Sequence, residues 1–161
     1  MLVPIVLRSV GPRLLLTRRT ERLQDHAGQV SFPGGGREQI DPDPVETALR
    51  ETEEEIGLSR RHVEVLGFLH GYLTISGYTV TPVVGLVTPG FELRPDPLEV
   101  AEIFEVPVEF FLDPANRQLR EREFGGRKLA YYLFEFEGHT IWGATAAMLV
   151  DFLDMLAAGT S

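Results

Sequence analysis

The chain has 161 residues, 43% hydrophobic and 24% charged, an ordinary globular mix that reads as one domain over residues 1–161. Its net charge of −9 argues against the basic face that nucleic acid or an anionic membrane requires, but not against a small anionic substrate met by a metal ion and a few local arginines. There is no cysteine for a disulfide or a thiol nucleophile, and no apolar run approaches the ~18 residues of a membrane span, so a cytoplasmic setting is expected, with monomer and homodimer both open.

Taken in chain order, Met1 to Leu7 is apolar but lacks a basic start and a cleavage site, so it reads as a strand and not a leader. Pro4 to Leu7 and Arg13 to Thr17 form two strands around a Gly11-Pro12 turn. Arg18 to Gln29 is a polar loop, and Val30 to Phe32 a short strand delivering the run Gly34-Gly35-Gly36. A helix is expected from Pro44 to Ile56. Asp43 suits its N-cap, Pro44 its first position, and Gly57 its stop. Strands follow at Val63 to Leu73 and Tyr78 to Val87 around Ser76-Gly77, then a Pro-rich loop to Pro97, a strand at Ile103 to Val106 and a helical turn at Pro107 to Leu112. Gln118 to Phe124 and Lys128 to Phe136 pair around Gly125-Gly126, and Ala144 to Ala157 is an amphipathic helix. The order suits an α/β (α+β) fold: an α/β/α sandwich with a mixed β-sheet between helices.

The first helix carries the chemistry. At ~100° per residue, Glu51, Glu54 and Glu55 share one face, while Glu53 points away. Carboxylates so crowded repel, by a few tenths of a kcal/mol per exposed i,i+4 pair, and a hard cation between them relieves this. Mg²⁺ and Mn²⁺ take such oxygen ligands, alongside water and substrate phosphate. Arg50 reads as the partner that aims Glu51 or Glu54.

The segment Gly36 to Leu58 resembles the Nudix box, G-x5-E-x7-R-E-U-x-E-E-x-G-U with U bulky and apolar. Gly36, Arg50, Glu51, Glu54, Glu55, Gly57 and Leu58 match it. Pro42 stands where the box has its first Glu and Thr52 at the first U, so the loop carboxylate passes to Asp41 or Asp43. Just upstream, Leu15-Leu16-Thr17, Arg19, Gly28 and Phe32-Pro33-Gly34-Gly35 resemble the extra motif of the coenzyme A diphosphatase branch, LLTxR[SA]x3Rx3Gx3FPGG. Thr20 replaces its Ser/Ala and Gln24 its second Arg. Gly77 to Gly85 and Ile141 to Ala146 look like the same branch.

The resemblance implies a Nudix fold and a Mg²⁺- or Mn²⁺-dependent hydrolase of CoA or a derivative, with Glu51, Glu54 and Glu55 as metal ligands. Glu54 or Glu99 would be the base, supported by Arg50. Arg19, His26, Gly28, Gly34 and Gly35 would contact substrate. ADP-ribose, NADH or a nucleotide triphosphate is the alternative substrate. Glu102 reads as an exposed acid. His70, Tyr72 and Tyr78 read as core residues, and Trp142 as a core anchor for the last helix.

Overall fold

In the computed structural model, which describes residues 1–159, the first strands run β1 (Leu2–Arg8), β2 (Gly11–Arg19) and β3 (Val30–Ser31), ahead of helix α1 (Pro44–Ile56). After a 3₁₀ turn at Arg60–His62 come β4 (Val63–Phe68), β5 (Tyr72–Leu73), β6 (Thr79–Val80), β7 (Val83–Val87) and β8 (Val100–Pro107). Helix α2 (Val108–Leu112), β9 (Gln118–Phe124), β10 (Arg127–Phe136), β11 (His139–Trp142) and helix α3 (Gly143–Gly159) complete the chain.

The main sheet has the order β3-β2-β1-β7-β4, with β8 also on β2. β8 pairs along β2 from Arg13 to Arg19, so β1 and β3 share the opposite edge of β2, one at each end. Only β1 and β7 run parallel; the sheet is mixed. Apolar runs such as Leu14-Leu15-Leu16 are buried on both faces, as strands covered on both sides must be. Leu2, Val6, Leu15, Val83 and Val87 meet Ala48 and Ile56 of α1. Val3, Leu14 and Leu16 face α3 and the second, antiparallel sheet β11-β10-β9.

Helix α1 has the ends its sequence signals. Asp43 Oδ1 accepts from Glu46 N at 2.8 Å, and Gly57 closes the helix at φ 72° with its N–H on Glu53 O. Thr52, at an otherwise apolar position, buries its hydroxyl by donating to Ala48 O at 2.6 Å.

Three expectations are corrected. The β1–β2 turn is Ser9-Val10, and Gly11 and Pro12 already lie in β2, paired with Arg8 and Leu7. The two long middle strands are each broken, because Pro82 has no N–H for a ladder; its carbonyl instead accepts from Leu69 N at 3.0 Å. The small β5–β6 hairpin between them leaves Tyr78 71% exposed and His70 on the surface against Asp151, so neither is core. Strand β11 was not anticipated. Its turn places both Glu137 (φ 46°) and Gly138 (φ 80°) in the left-handed region, a type I′ geometry that Glu rarely announces.

Candidate active site

Strand β3 leads into Phe32, fully buried, and Pro33, whose carbonyl accepts from Leu2 N at 2.9 Å. This fixes the glycine turn at the start of β1. A Cβ on Gly34 would stand 2.6 Å from Met1 Cα, and one on Gly35 2.5 Å from Glu51 Oε2. A side chain at Gly34 would meet backbone, and one at Gly35 would displace the Glu51 carboxylate. Gly34 N donates to Glu55 Oε2 at 3.3 Å, tying turn to helix.

The three α1 carboxylates sit in unlike surroundings. Glu55 is 6% exposed, and burial pushes its carboxyl up to about 7, against the Gly34 N–H bond and with help from Glu99 and Glu51. Burial also raises Glu51, whose side chain is 19% exposed, despite its bond to Arg50. Glu54 is open to solvent, its side chain 60% exposed. As they stand, no three acidic or imidazole side chains among the described residues converge closely enough to enclose an ion. Gly34 N holds Glu55, while Arg50 Nη1 holds Glu51 Oε1 at 3.1 Å and Glu54 Oε2 at 3.2 Å.

Arg50 is anchored from behind by Asp41. Its Nε and Nη2 donate to the two Asp41 oxygens at 2.9 and 2.8 Å, and Nη2 also reaches Gly36 O at 3.1 Å. Asp41 is 1% exposed and also accepts from Glu38 N and Thr47 Oγ1. These bonds, Arg50 foremost, hold its carboxyl well below the usual range. Of the two acids the sequence left open for the loop, Asp41 reaches Arg50, and Asp43 is spent on the helix cap.

The loop after β2 is closed by Arg19 N on Gln29 O (2.8 Å) and Gly28 N on Thr20 O (3.3 Å). Gly28 has φ 72°, and a Cβ there would meet Glu21 Oε1 at 2.5 Å. His26 also turns left-handed (φ 56°) and its Nδ1 lies 3.1 Å from Gln29 Oε1. Arg19 Nη2 reaches Asp25 O at 3.4 Å, but its Nε is buried without a partner, and its charge is felt at Glu55. Thr20 pins the next loop: its N donates to Glu99 O at 3.1 Å and its hydroxyl to Leu98 O at 2.9 Å. Glu99 is thereby held within electrostatic reach of both Glu51 and Glu55. No local pattern around Thr20 announces this pin, which depends on a loop some eighty residues away.

A family model described as the NUDIX domain matches residues 2–125. The chain belongs to the Nudix family. The uncharacterized Nudix hydrolase NudL of Photorhabdus laumondii is 43% identical over 148 residues, 92% of this chain and 79% of that protein. NudL of Pectobacterium atrosepticum is 42% identical over 156 residues, covering 92% and 77%. In fold, a C. elegans Ap4A hydrolase binary complex superposes with TM-score 0.64 at 14% identity, over 98% of this chain and 96% of that one. The protein is thus a Nudix hydrolase, an enzyme of diphosphate linkages in nucleoside diphosphate derivatives.

Two other features of this Nudix hydrolase lie outside the carboxylate cluster. A cleft lined by Arg8, Arg13, Phe104 and Glu105 sits at the opposite end of the sheet, and both its arginines are already paired with Glu105, Arg8 at 2.6 Å and Arg13 at 3.8 Å. Glu102 is exposed but braced: it accepts from His139 Nε2 at 3.1 Å and Arg18 Nε at 3.4 Å, and His139 stacks on Phe104 at 3.7 Å. His139, then Arg18, lowers the Glu102 carboxyl below its ordinary 4.5. A lowered acid stabilises the fold above its ordinary range, and that stability is lost as pH falls through the folded value. Glu102→Gln is therefore expected to flatten the loss of melting temperature below about pH 4.5. An acid limb identical to that of the wild type, followed by calorimetry, would remove Glu102 from this role.

Proposed function

We propose that the enzyme cleaves the diphosphate of coenzyme A or a derivative, giving 3′,5′-ADP and 4′-phosphopantetheine, in the cytoplasm. The observation that carries this reading is Arg19. It is the fixed arginine of the upstream motif, its Nε is buried without a partner, and its charge reaches Glu55. A guanidinium that keeps a donor unused beside a carboxylate cluster is suited to phosphate oxygen.

The donor set fits a divalent ion. Glu51, Glu54 and Glu55 offer only hard oxygen ligands, and Gly35 leaves the space beside Glu51 that a Cβ would fill. These three residues would hold Mg²⁺ or Mn²⁺. Such an ion, when bound, supplies charge neutralisation at the diphosphate and a more acidic water. Arg50 keeps Glu51 and Glu54 aimed, with Asp41 fixing Arg50. Gly34 and Gly35 bring bare backbone up to the diphosphate, and Gly28 and His26 shape the loop that covers it. Glu54, exposed, or Glu99, held by Thr20, takes the proton of the attacking water.

Arg19→Ala is expected to raise KM for CoA by about 10- to 100-fold, with a smaller change in kcat, through loss of a charge-assisted contact of ~1.5–3 kcal/mol. Steady-state rates on CoA, ADP-ribose, NADH and a nucleotide triphosphate provide the check. An equal loss on all four, or an unfolded variant, assigns Arg19 to the scaffold and favours another diphosphate substrate.

A further inference from the structure

The three-stranded sheet has two unlike faces. Its register sets Arg120 opposite Tyr131, Arg122 opposite Leu129, and Leu133 opposite Trp142. Side chains alternate along each strand, so these residues share one face. The other face turns inward at its base, where Phe134 and Ile141 are fully buried, and Arg117 lies over the Tyr132 ring and pairs with Asp154 of α3. Trp142 is accordingly only half-buried and lies outside the core, contrary to its reading as an anchor.

Charge is sorted between the two faces. Arg120, Arg122 and Arg127 fall on the outward face, and the β9 acids Glu121 and Glu123 on the other. The one β10 acid on the outward face, Glu135, pairs with Thr140 beyond Trp142. Among the described residues none of these three arginines has an ion-pair partner; Arg120 donates to Gln118 Oε1 at 2.7 Å on the same face. A chain of net charge −9 thus presents a cationic strip beside an aromatic pair, Tyr131 and Trp142, with ring centroids 6.1 Å apart at 63°.

The strip is tied to the glycine turn. Trp142 immediately precedes α3, and Thr145 of α3 donates its hydroxyl to Val30 O at 3.1 Å. From Val30 the chain reaches Gly34 in four residues, at most ~14 Å.

We propose that this face is the subsite for a 3′-phosphorylated adenosine. The purine stacks on Tyr131 and Trp142, and Arg120 and Arg122 take the 3′-phosphate. The assignment rests on the CoA reading above, and its logic is charge complementarity: guanidinium forks suit phosphate, and aromatic faces suit a base.

The test is steady-state kinetics of the full chain on CoA and on dephospho-CoA, which bears a 3′-hydroxyl instead. The wild type is expected to favour CoA in kcat/KM by about tenfold or more. The double variant Arg120→Ala/Arg122→Ala should raise KM for CoA by about 10- to 100-fold and move dephospho-CoA much less, so that the preference collapses. Lys128→Ala removes a positive charge from the opposite face of the same hairpin and should leave both KM values in place. Tyr131→Leu should raise both together. A double variant that keeps the wild-type preference, or a wild type without one, overturns the subsite while CoA cleavage stands. If CoA is not cleaved at all, the proposed function fails separately. Calorimetry with 3′,5′-ADP against 5′-ADP then decides the subsite: preferential binding lost in the double variant supports it, and equal binding overturns it.

Discussion

Glu55→Gln is expected to lower turnover by ~10³-fold or more and, at the same time, to raise the melting temperature of the metal-free protein above pH 7. The two effects share one cause. Burial holds the Glu55 proton up to about pH 7, whereas an unfolded glutamate releases it near 4.5. Between those values the folded state binds more protons than the unfolded state, so stability falls as pH rises through this window and stays low above it. The difference corresponds to about 2–4 kcal/mol. Glutamine cannot ionise and is free of that cost, and its carbonyl still accepts from Gly34 N. A bound cation would offset the same cost in the wild type. Mg²⁺ or Mn²⁺ is therefore expected to raise the wild-type melting temperature, more above pH 7 than below it, and to do so far less in the variant. Thermal scans over pH with and without metal, beside turnover, read all of this. A Glu55→Gln protein with wild-type turnover, or with a lower metal-free melting temperature at pH 8, would remove Glu55 from the ligand set.

Asp41→Ala is expected to cost about 10²-fold in kcat/KM and several degrees of melting temperature, although Asp41 touches neither substrate nor metal in the scheme above. Two of its contacts hold Arg50, and Arg50 in turn holds Glu51 and Glu54. Without Asp41 the guanidinium has carboxylates on one side only, and it is free to move toward them. The Glu38 amide also loses its acceptor, and the Thr47 hydroxyl keeps only Asp43 O at 3.4 Å. Asp43→Ala is the comparison. It removes a surface helix cap worth ~1 kcal/mol and should leave kcat/KM nearly unchanged. If the two variants behave alike in kinetics, Asp41 is only part of the helix start.

The contrast between Asp41 and Asp43 marks where the sequence stopped being legible. Both flank Pro42 and both are plausible as the carboxylate that Pro42 cannot supply. Asp43 is the cap because of its spacing to Glu46, a local rule readable in the chain. Asp41 turns inward because Arg50 and Thr47 of the folded helix face it, which is tertiary information. Helix α1 was readable throughout, since cap, proline and terminal glycine all act within one turn. The glycine turn was readable as a place of close approach, but not what approaches: Met1 at Gly34 and the Glu51 carboxylate at Gly35.

Elsewhere composition misled. His70 and Tyr78 look like core residues until Pro82 breaks the strand and releases a hairpin to the surface. Trp142 looks like an anchor until β11, announced only by Glu137-Gly138, turns its ring to the outward face. Each error concerns a partner supplied from far along the chain, while each success rests on residues within a few positions of one another.

The most direct measurement is product analysis by mass spectrometry after incubating CoA with the enzyme and Mg²⁺ or Mn²⁺. The expected result is 3′,5′-ADP and 4′-phosphopantetheine in equal amounts, dependent on the divalent ion and lost with Glu55→Gln. Intact CoA under conditions where ADP-ribose or NADH is cleaved, or CoA cleavage that persists in chelator, would contradict it.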